Sequence, residues 1–127
     1  MPEKASSYKD LIVWQKSVRL VKLIYALTRN FPSDEQFGII SQMRRAAVSI
    51  PSNIAEGQAR RTTPDFIRFL SNSEGSVAEL ETQLIISLEL EFCATDEARE
   101  IFELLDEIRR MLNALRRTLT TKSHSAS

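Results

Sequence analysis

The chain has 127 residues, 43% apolar and 27% charged, with seventeen Lys and Arg against seventeen Asp and Glu. That length and balance suit one soluble domain with its own core, and the neutral total removes the long-range pull toward nucleic acid that a strongly basic chain carries. Cys93 is the only cysteine, which excludes a disulfide framework and a cysteine-based zinc site. No uncharged apolar run approaches the roughly 18–20 residues of a membrane span. The start Met-Pro-Glu-Lys-Ala-Ser-Ser has no signal-peptide core behind it. No membrane partner and a cytoplasmic location are the expectation.

Charge is unevenly spread along this neutral chain. Residues 1–68 hold eleven bases against six acids, residues 69–108 hold only Arg99 against eleven acids, and residues 109–127 hold five bases and no acid. Packed helices would let these blocks neutralise one another.

Residues 1–7 read as a loose polar arm. Over residues 8–31 the pattern is helical, with Leu11, Trp14, Val18, Val21 and Tyr25 on one line and Val13, Leu20, Ile24, Leu27 and Phe31 on a second. So wide an apolar arc suits a helix with more than one neighbour. Pro32 ends it, and Ser33-Asp34 offers an N-cap for a second helix over residues 34–60. The core line of that helix is Ile40, Met43, Ala47, Ile50 and Ile54, and Gly57 with the polar run behind it marks its exit.

A third helix opens with Thr63 as N-cap, Pro64 at its first position and Asp65 in its first turn. Phe66, Leu70, Ser73, Val77, Leu80, Leu84 and Leu88 share its inner arc, while Ser71, Ser73, Gly75, Ser76 and Ala78 make its middle thin enough for close helix approach. Cys93-Ala94-Thr95 breaks the pattern. The fourth helix carries Ala98, Ile101, Leu105, Ile108, Leu112, Leu115 and Leu119 in strict 3-4 steps, with acids early and arginines late along the helix dipole. Residues 120–127 read as a disordered polar tail. The whole predicts an all-α, up-down-up-down antiparallel four-helix bundle over residues 8–119.

One stretch departs from plain amphipathic helix. On helix two, Arg45, Ser49, Asn53, Glu56 and Arg60 fall within about an 80° arc opposite the core line. Pro51 sits between the two faces, removes a backbone donor and clashes with the carbonyl of Ala47, so a kink is expected there. Three readings stay open: a solvated face, a structural network or subunit interface around the kink, and a contact surface for a ligand or nucleic acid. A further local alternative breaks the helix, with Asn53 and Glu56 forming the capping box of a new segment.

Residues 44–57, Arg-Arg-Ala-Ala-Val-Ser-Ile-Pro-Ser-Asn-Ile-Ala-Glu-Gly, resemble the signature of the four-helix-bundle family named for proteins encoded in 23S rRNA intervening sequences. The opening Tyr8-Lys9-Asp10-Leu11-Ile12-Val13-Trp14-Gln15-Lys16 is similar to the start of that family, as is the stretch 66–90 with Ser73, Gly75, Ser76, Glu79 and Leu80. The resemblance covers about residues 8–118. It implies a four-helix protomer assembling as a ring-like homopentamer, with no enzymatic activity to carry over. The retroelement accessory variability determinant is similar in fold, and that branch binds nucleic acid and a reverse transcriptase through a basic surface. The neutral balance of this chain departs from that pattern.

The residues themselves argue against an enzyme. His124, the only histidine, lies at the far C-terminal end, Cys93 has no nearby base, and no Gly-rich phosphate loop is present. The carboxylates of helices three and four lack the Glu-x-x-His pairs of a di-iron bundle. No cofactor, metal or small-molecule substrate is indicated. Two functions remain: a non-catalytic homo-oligomeric scaffold, with Arg45, Ser49, Pro51, Asn53, Glu56 and Gly57 in structural or interface roles, or RNA or DNA binding. The second would use Arg44, Arg45, Arg60, Arg61 and Arg68, with Arg109, Arg110, Arg116, Arg117 and Lys122 behind them.

Overall fold

Each helix forms where apolar residues recur at three- and four-residue spacing, and ends where its free backbone groups find other partners. A computed structural model describes residues 7–126, with side chains through Lys122. It contains α1 (Ile12–Thr28), α2 (Ile39–Gln58), α3 (Thr63–Glu89) and α4 (Thr95–Ala126), and no strand among the described residues. The expected all-α, four-helix class is what is found.

The boundaries shift for local reasons. Ser7 accepts from the Lys9 N–H and closes a separate 3-10 turn, Tyr8–Asp10, so α1 begins later than the periodicity suggests. Ser33 and Asp34 likewise open a 3-10 turn, Ser33–Glu35, in place of capping α2. Gly38 precedes α2 instead, and the Glu35 carboxylate reaches the Ile39 N–H at 3.5 Å. The cap of α3 is Thr62, one residue before the expected Thr63, with its hydroxyl accepting from the Asp65 N–H at 3.3 Å. Residues 1–6 of the expected arm lie outside the described residues. α4 continues past Leu119 to Ala126 where a disordered tail was expected. No Gly or Pro interrupts it, and the Thr118 and Thr120 hydroxyls donate back to the Ala114 and Arg116 carbonyls.

α3 ends in a Schellman turn: the Phe92 N–H reaches the Ser87 carbonyl at 2.9 Å and the Glu91 N–H reaches that of Leu88 at 3.0 Å. The residue in the left-handed position, normally glycine, is Glu91 at φ 61°.

α2 packs on α1 and α3, and α4 packs on the same two helices. Between α2 and α3 the meeting points are Ile50 with Ser73, Ser49 with Ser76, and Met43 with Ser87, so residue numbers fall along α3 as they rise along α2. The core lines up as Val13, Leu20, Ile24 and Leu27 from α1, all five expected residues of α2, Leu70 to Leu84 of α3, and Ala98 to Leu112 of α4. Each fully buried Leu or Ile contributes about 1.5–3 kcal/mol over leaving it exposed. Of the two apolar lines on α1 only the second is core. Leu11, Trp14 and Val21 flank it half-buried, and Tyr25 is exposed.

Candidate interaction face of α2

α2 is continuous through Pro51, which is buried within it. The broken-helix alternative is therefore overturned: the Asn53 amide donates back to the Ser49 carbonyl at 2.8 Å and does not cap a new segment. Ser73 of α3 is fully buried and donates its hydroxyl to the Ile50 carbonyl at 2.9 Å. The side chains thus address the two carbonyls just before the proline, those of Ser49 and Ile50. The Ser49 hydroxyl lies 2.7 Å from the Ala46 carbonyl and 2.5 Å from the Ser76 hydroxyl, tying the stripe to α3.

α2 ends at Gln58, at the exit expected from Gly57 and the polar run behind it, but Gly57 is not a left-handed cap. It is helical and buried, and a Cβ placed there would meet the Phe69 Cβ at 2.7 Å and Phe66 Cδ1 at 3.0 Å. The glycine is required by the close approach of α3, whose Phe69 is buried although it lies off the predicted inner arc. Phe69 was missed because α3 turns two neighbouring lines toward its partners. The aromatic spacing Phe66-x-x-Phe69 opposite a lone glycine was the available signal.

Arg44 spans the α1–α2 boundary. Its Nε donates to Thr28 Oγ1 at 2.9 Å, its Nη2 reaches the Tyr25 carbonyl at 3.4 Å, and its guanidinium lies 4.4 Å from the Tyr25 ring centroid. Thr28 in turn donates to the Ile24 carbonyl at 2.7 Å. Arg44 is thus a cationic cap for the C-terminus of α1, where carbonyls and the helix dipole favour positive charge. Arg60 pairs with Glu56 at 3.3 Å and Arg68 with Asp65 at 3.7 Å, and both guanidinium groups lie 4.7 Å from the Phe69 ring centroid. Among the five candidate nucleic-acid arginines, only Arg45 and Arg61 are exposed with no partner among the described residues. Arg45 sits ~20 Å before the C-terminal end of α2, and Arg61 lies beyond that end in the turn to α3.

Arg45 stands between two shallow grooves. One, toward α1, is lined by Tyr25, Arg44 and Val48; the other, toward α3, by Gln42, Ala46, Ser76 and Glu79. Tyr25 at 38% and Val48 at 40% exposure leave an apolar contribution beside the bare arginine. The small residues of α3 split: Ser73 and Ser76 serve the α2 contact, while Ser71, Gly75 and Ala78 are exposed.

The other basic residues are mostly engaged. Lys16 pairs with Glu107 at 3.2 Å and Arg19 with Glu100, so α1 does neutralise α4. Arg109 and Arg110 share Asp106, and Arg117 holds Asn113. Arg116 makes a two-pronged bond to Glu74, at 2.6 and 3.3 Å, which pushes its guanidinium pKa still higher. Cys93 is half-buried, and burial, aided by the Glu97 carboxylate, raises its thiol pKa, the opposite of an activated nucleophile. Among the described residues no group of three His, Cys, Asp or Glu is placed to hold a metal ion, and no helix is long and apolar enough to cross a membrane. The His124 side chain lies outside the described residues.

A family model for the 23S rRNA-intervening sequence protein matches residues 9–114, almost the whole bundle. The chain belongs to that family. A crystal structure of a protein with unknown function from the S23 ribosomal protein family of Bacteroides thetaiotaomicron has the same fold, with a TM-score of 0.76 at 22% identity. The likeness covers 84% of this chain and 96% of that one. No curated protein matches the chain. Within the matched region, residues 44–57 are the stretch that caps α1, carries Pro51 and admits Phe69 at Gly57.

Proposed function

We propose that the chain is a non-catalytic, cytoplasmic scaffold that works as a homo-oligomer, five copies in the form implied by the family resemblance. The protomer in this reading is an up-down-up-down antiparallel bundle with α2 kinked at Pro51. The opposed numbering of the α2–α3 contacts supports the first feature, and the side-chain bonds to the carbonyls of residues 49 and 50 support the second. The observation that carries the oligomer is the outward side of α2. There Val48 and Tyr25 are exposed beside the unpartnered Arg45, whereas the polar groups beneath are already satisfied within the protomer. A face of that kind buries apolar area on association and leaves only the Arg45 guanidinium to be paired by the neighbouring subunit or kept at the wet rim. Sedimentation velocity at low micromolar concentration should show an oligomer, and Val48→Glu should release monomers with an unchanged helical spectrum. A monomeric wild-type chain would sink the proposal.

A second reading, RNA or DNA binding, rests on Arg45 and Arg61, whose positive charge the symmetry of a ring would multiply. Two free arginines per protomer limit the slope of log K against log salt to about −2 per protomer on duplex DNA. Filter binding across a salt series measures that slope, and no binding at low salt removes this reading.

A further inference from the structure

Apart from Ile12 and Phe37, the large apolar side chains left exposed among the described residues gather on two faces. The first is the α1–α2 face of Tyr25 and Val48. Lys22 and Arg29 stand three residues before and four after Tyr25, on the same side of α1, and with Arg45 they are exposed and lack an ion-pair partner among the described residues. No acid occurs in residues 11–33 or 36–55, so neither α1 nor α2 before Glu56 offsets these cations. The second face is the outer side of α3. Ala78, Thr82, Ile85 and Glu89 recur there at three- and four-residue steps, turned away from the buried line of Val77, Leu80 and Leu84. Ile85 is 48% and Ile86 42% exposed, where the outer side of a surface helix is ordinarily polar. The Thr82 hydroxyl already donates to the Ala78 carbonyl at 2.9 Å. Glu81 and Glu89 flank the isoleucines with no ion-pair partner among the described residues, and no Lys or Arg occurs in residues 69–98.

We infer that the outer face of α3, built on Ile85 and Ile86 with Glu81 and Glu89, receives the Tyr25–Val48–Arg45 face of a second copy of this chain. The inference rests on the self-association reading and names the surface that the α2 face meets. Charge decides the pairing. Either face set against its own copy brings like charges together, Lys22, Arg29 and Arg45 in one case and Glu81 and Glu89 in the other. The two unlike faces instead join apolar groups to apolar groups inside a rim of opposite charge. Polar groups within both faces are already satisfied in the protomer, at Ser49 and Asn53 on α2 and at Thr82 on α3. α1 and α3 do not pack on each other, so a copy carries the two faces on different sides and gives them to different neighbours, a heterologous contact. The carboxylates of α3 also repel nucleic acid and anionic membrane, which leaves a cationic protein surface as the occupant, and this chain supplies one at equal concentration.

Two variants of the full chain, each with one face spoiled, test the pairing by sedimentation velocity. Val48→Glu removes the α2 face and Ile85→Glu the α3 face, and both side chains are exposed enough for the helical spectrum to stay unchanged. Each should weaken association at least about 10-fold, so that either variant alone is monomeric where the wild type is assembled. An equal mixture of the two should form a heterodimer and nothing larger, because each supplies the one face that the other lacks. Wild-type assembly should weaken as salt rises, and Glu81→Lys with Glu89→Lys should weaken it as Ile85→Glu does. Ile86→Glu gives the same readout if Ile85→Glu loses helix. An oligomer that both isoleucine variants leave intact, or a mixture that stays monomeric, would overturn this pairing while the scaffold reading stands. A monomeric wild type would overturn both.

Discussion

Two glycines in neighbouring helices make opposite predictions for the same substitution. Gly57 faces α3, and a Cβ there would lie 2.7 Å from the Phe69 Cβ, 3.0 Å from Phe66 Cδ1 and 3.4 Å from the Phe66 carbonyl oxygen. Carbon atoms prefer separations of about 3.5–4.0 Å, so Gly57→Ala must open the contact by about 0.8 Å or more. The Phe69 Cβ cannot swing aside, because it is bonded directly to the α3 backbone. α3 itself has to move, which loosens the Ser73–Ile50 and Ser49–Ser76 contacts further along the same seam. Overpacking of this kind costs about 1–3 kcal/mol and each weakened hydrogen bond about 0.5–1.5, against a gain of about 1 kcal/mol from helix propensity. The net expectation is a loss of about 1–3 kcal/mol, lowering Tm by roughly 3–12 °C. Gly75 is exposed on α3 with nothing within 4 Å of a Cβ, so Gly75→Ala should gain the propensity term alone, about 0.5–1 kcal/mol. Thermal and urea denaturation of the two variants beside the wild type measures both. A Gly57→Ala chain as stable as Gly75→Ala would refute the claim that close α2–α3 approach requires the glycine.

Other substitutions probe single contacts. Arg44→Ala removes the cap from α1 and its stacking on Tyr25, and urea denaturation should register a loss of about 1–2 kcal/mol, part of which Arg44→Lys restores. Gln83 is buried with its side-chain oxygen unpaired among the described residues, so Gln83→Met should raise stability by about 1 kcal/mol in the same assay. Since burial and Glu97 raise the Cys93 thiol pKa, alkylation at pH 8 should be slower in the folded chain than in urea. The sign of the linkage follows: the folded state favours the protonated thiol, so the unfolding free energy should decline as pH rises past the unfolded value of about 8.5.

The four helices were legible because their apolar spacing is strong and because Pro32, Pro64 and the 93–95 break stand between them. The core line of α2 and most of that of α4 follow directly from periodicity. What periodicity could not supply was the role of residues whose partners are distant in sequence. Arg44 reads as a surface cation until Thr28 and Tyr25 are beside it. Gly57 reads as a helix end until Phe69 is opposite. The turns were misplaced by one to five residues because Ser7, Glu35 and Thr62 compete as local caps, and such competition is settled by side-chain geometry rather than by residue type. Neither the exposure of Phe37 nor the strain at Glu91 leaves any trace in hydrophobic spacing.

The neutral total of the chain conceals how its charges are used. α1 and α4 neutralise each other across their contact through Lys16, Arg19, Glu100 and Glu107, and Glu74 secures Arg116 between α3 and α4. The arginines of α2 do not follow that scheme. Arg44 is held on the end of α1 and Arg60, just beyond α2, on Glu56 and Phe69, while Arg45 stays bare, so none of them reaches the acids of α3. Two surfaces of different chemistry result: bare arginine with aliphatic and phenolic groups on the side of α2, and bare carboxylates with Ile85 and Ile86 on the outer side of α3. On both surfaces the residues depart from what folding alone would favour, with exposed apolar groups beside unpaired charge. A sequence consistent at every other level departs from local consistency where contact with another molecule constrains it. The proposed contact face on α2 is thus set apart from the α1–α4 surface, whose charges are neutralised within the protomer.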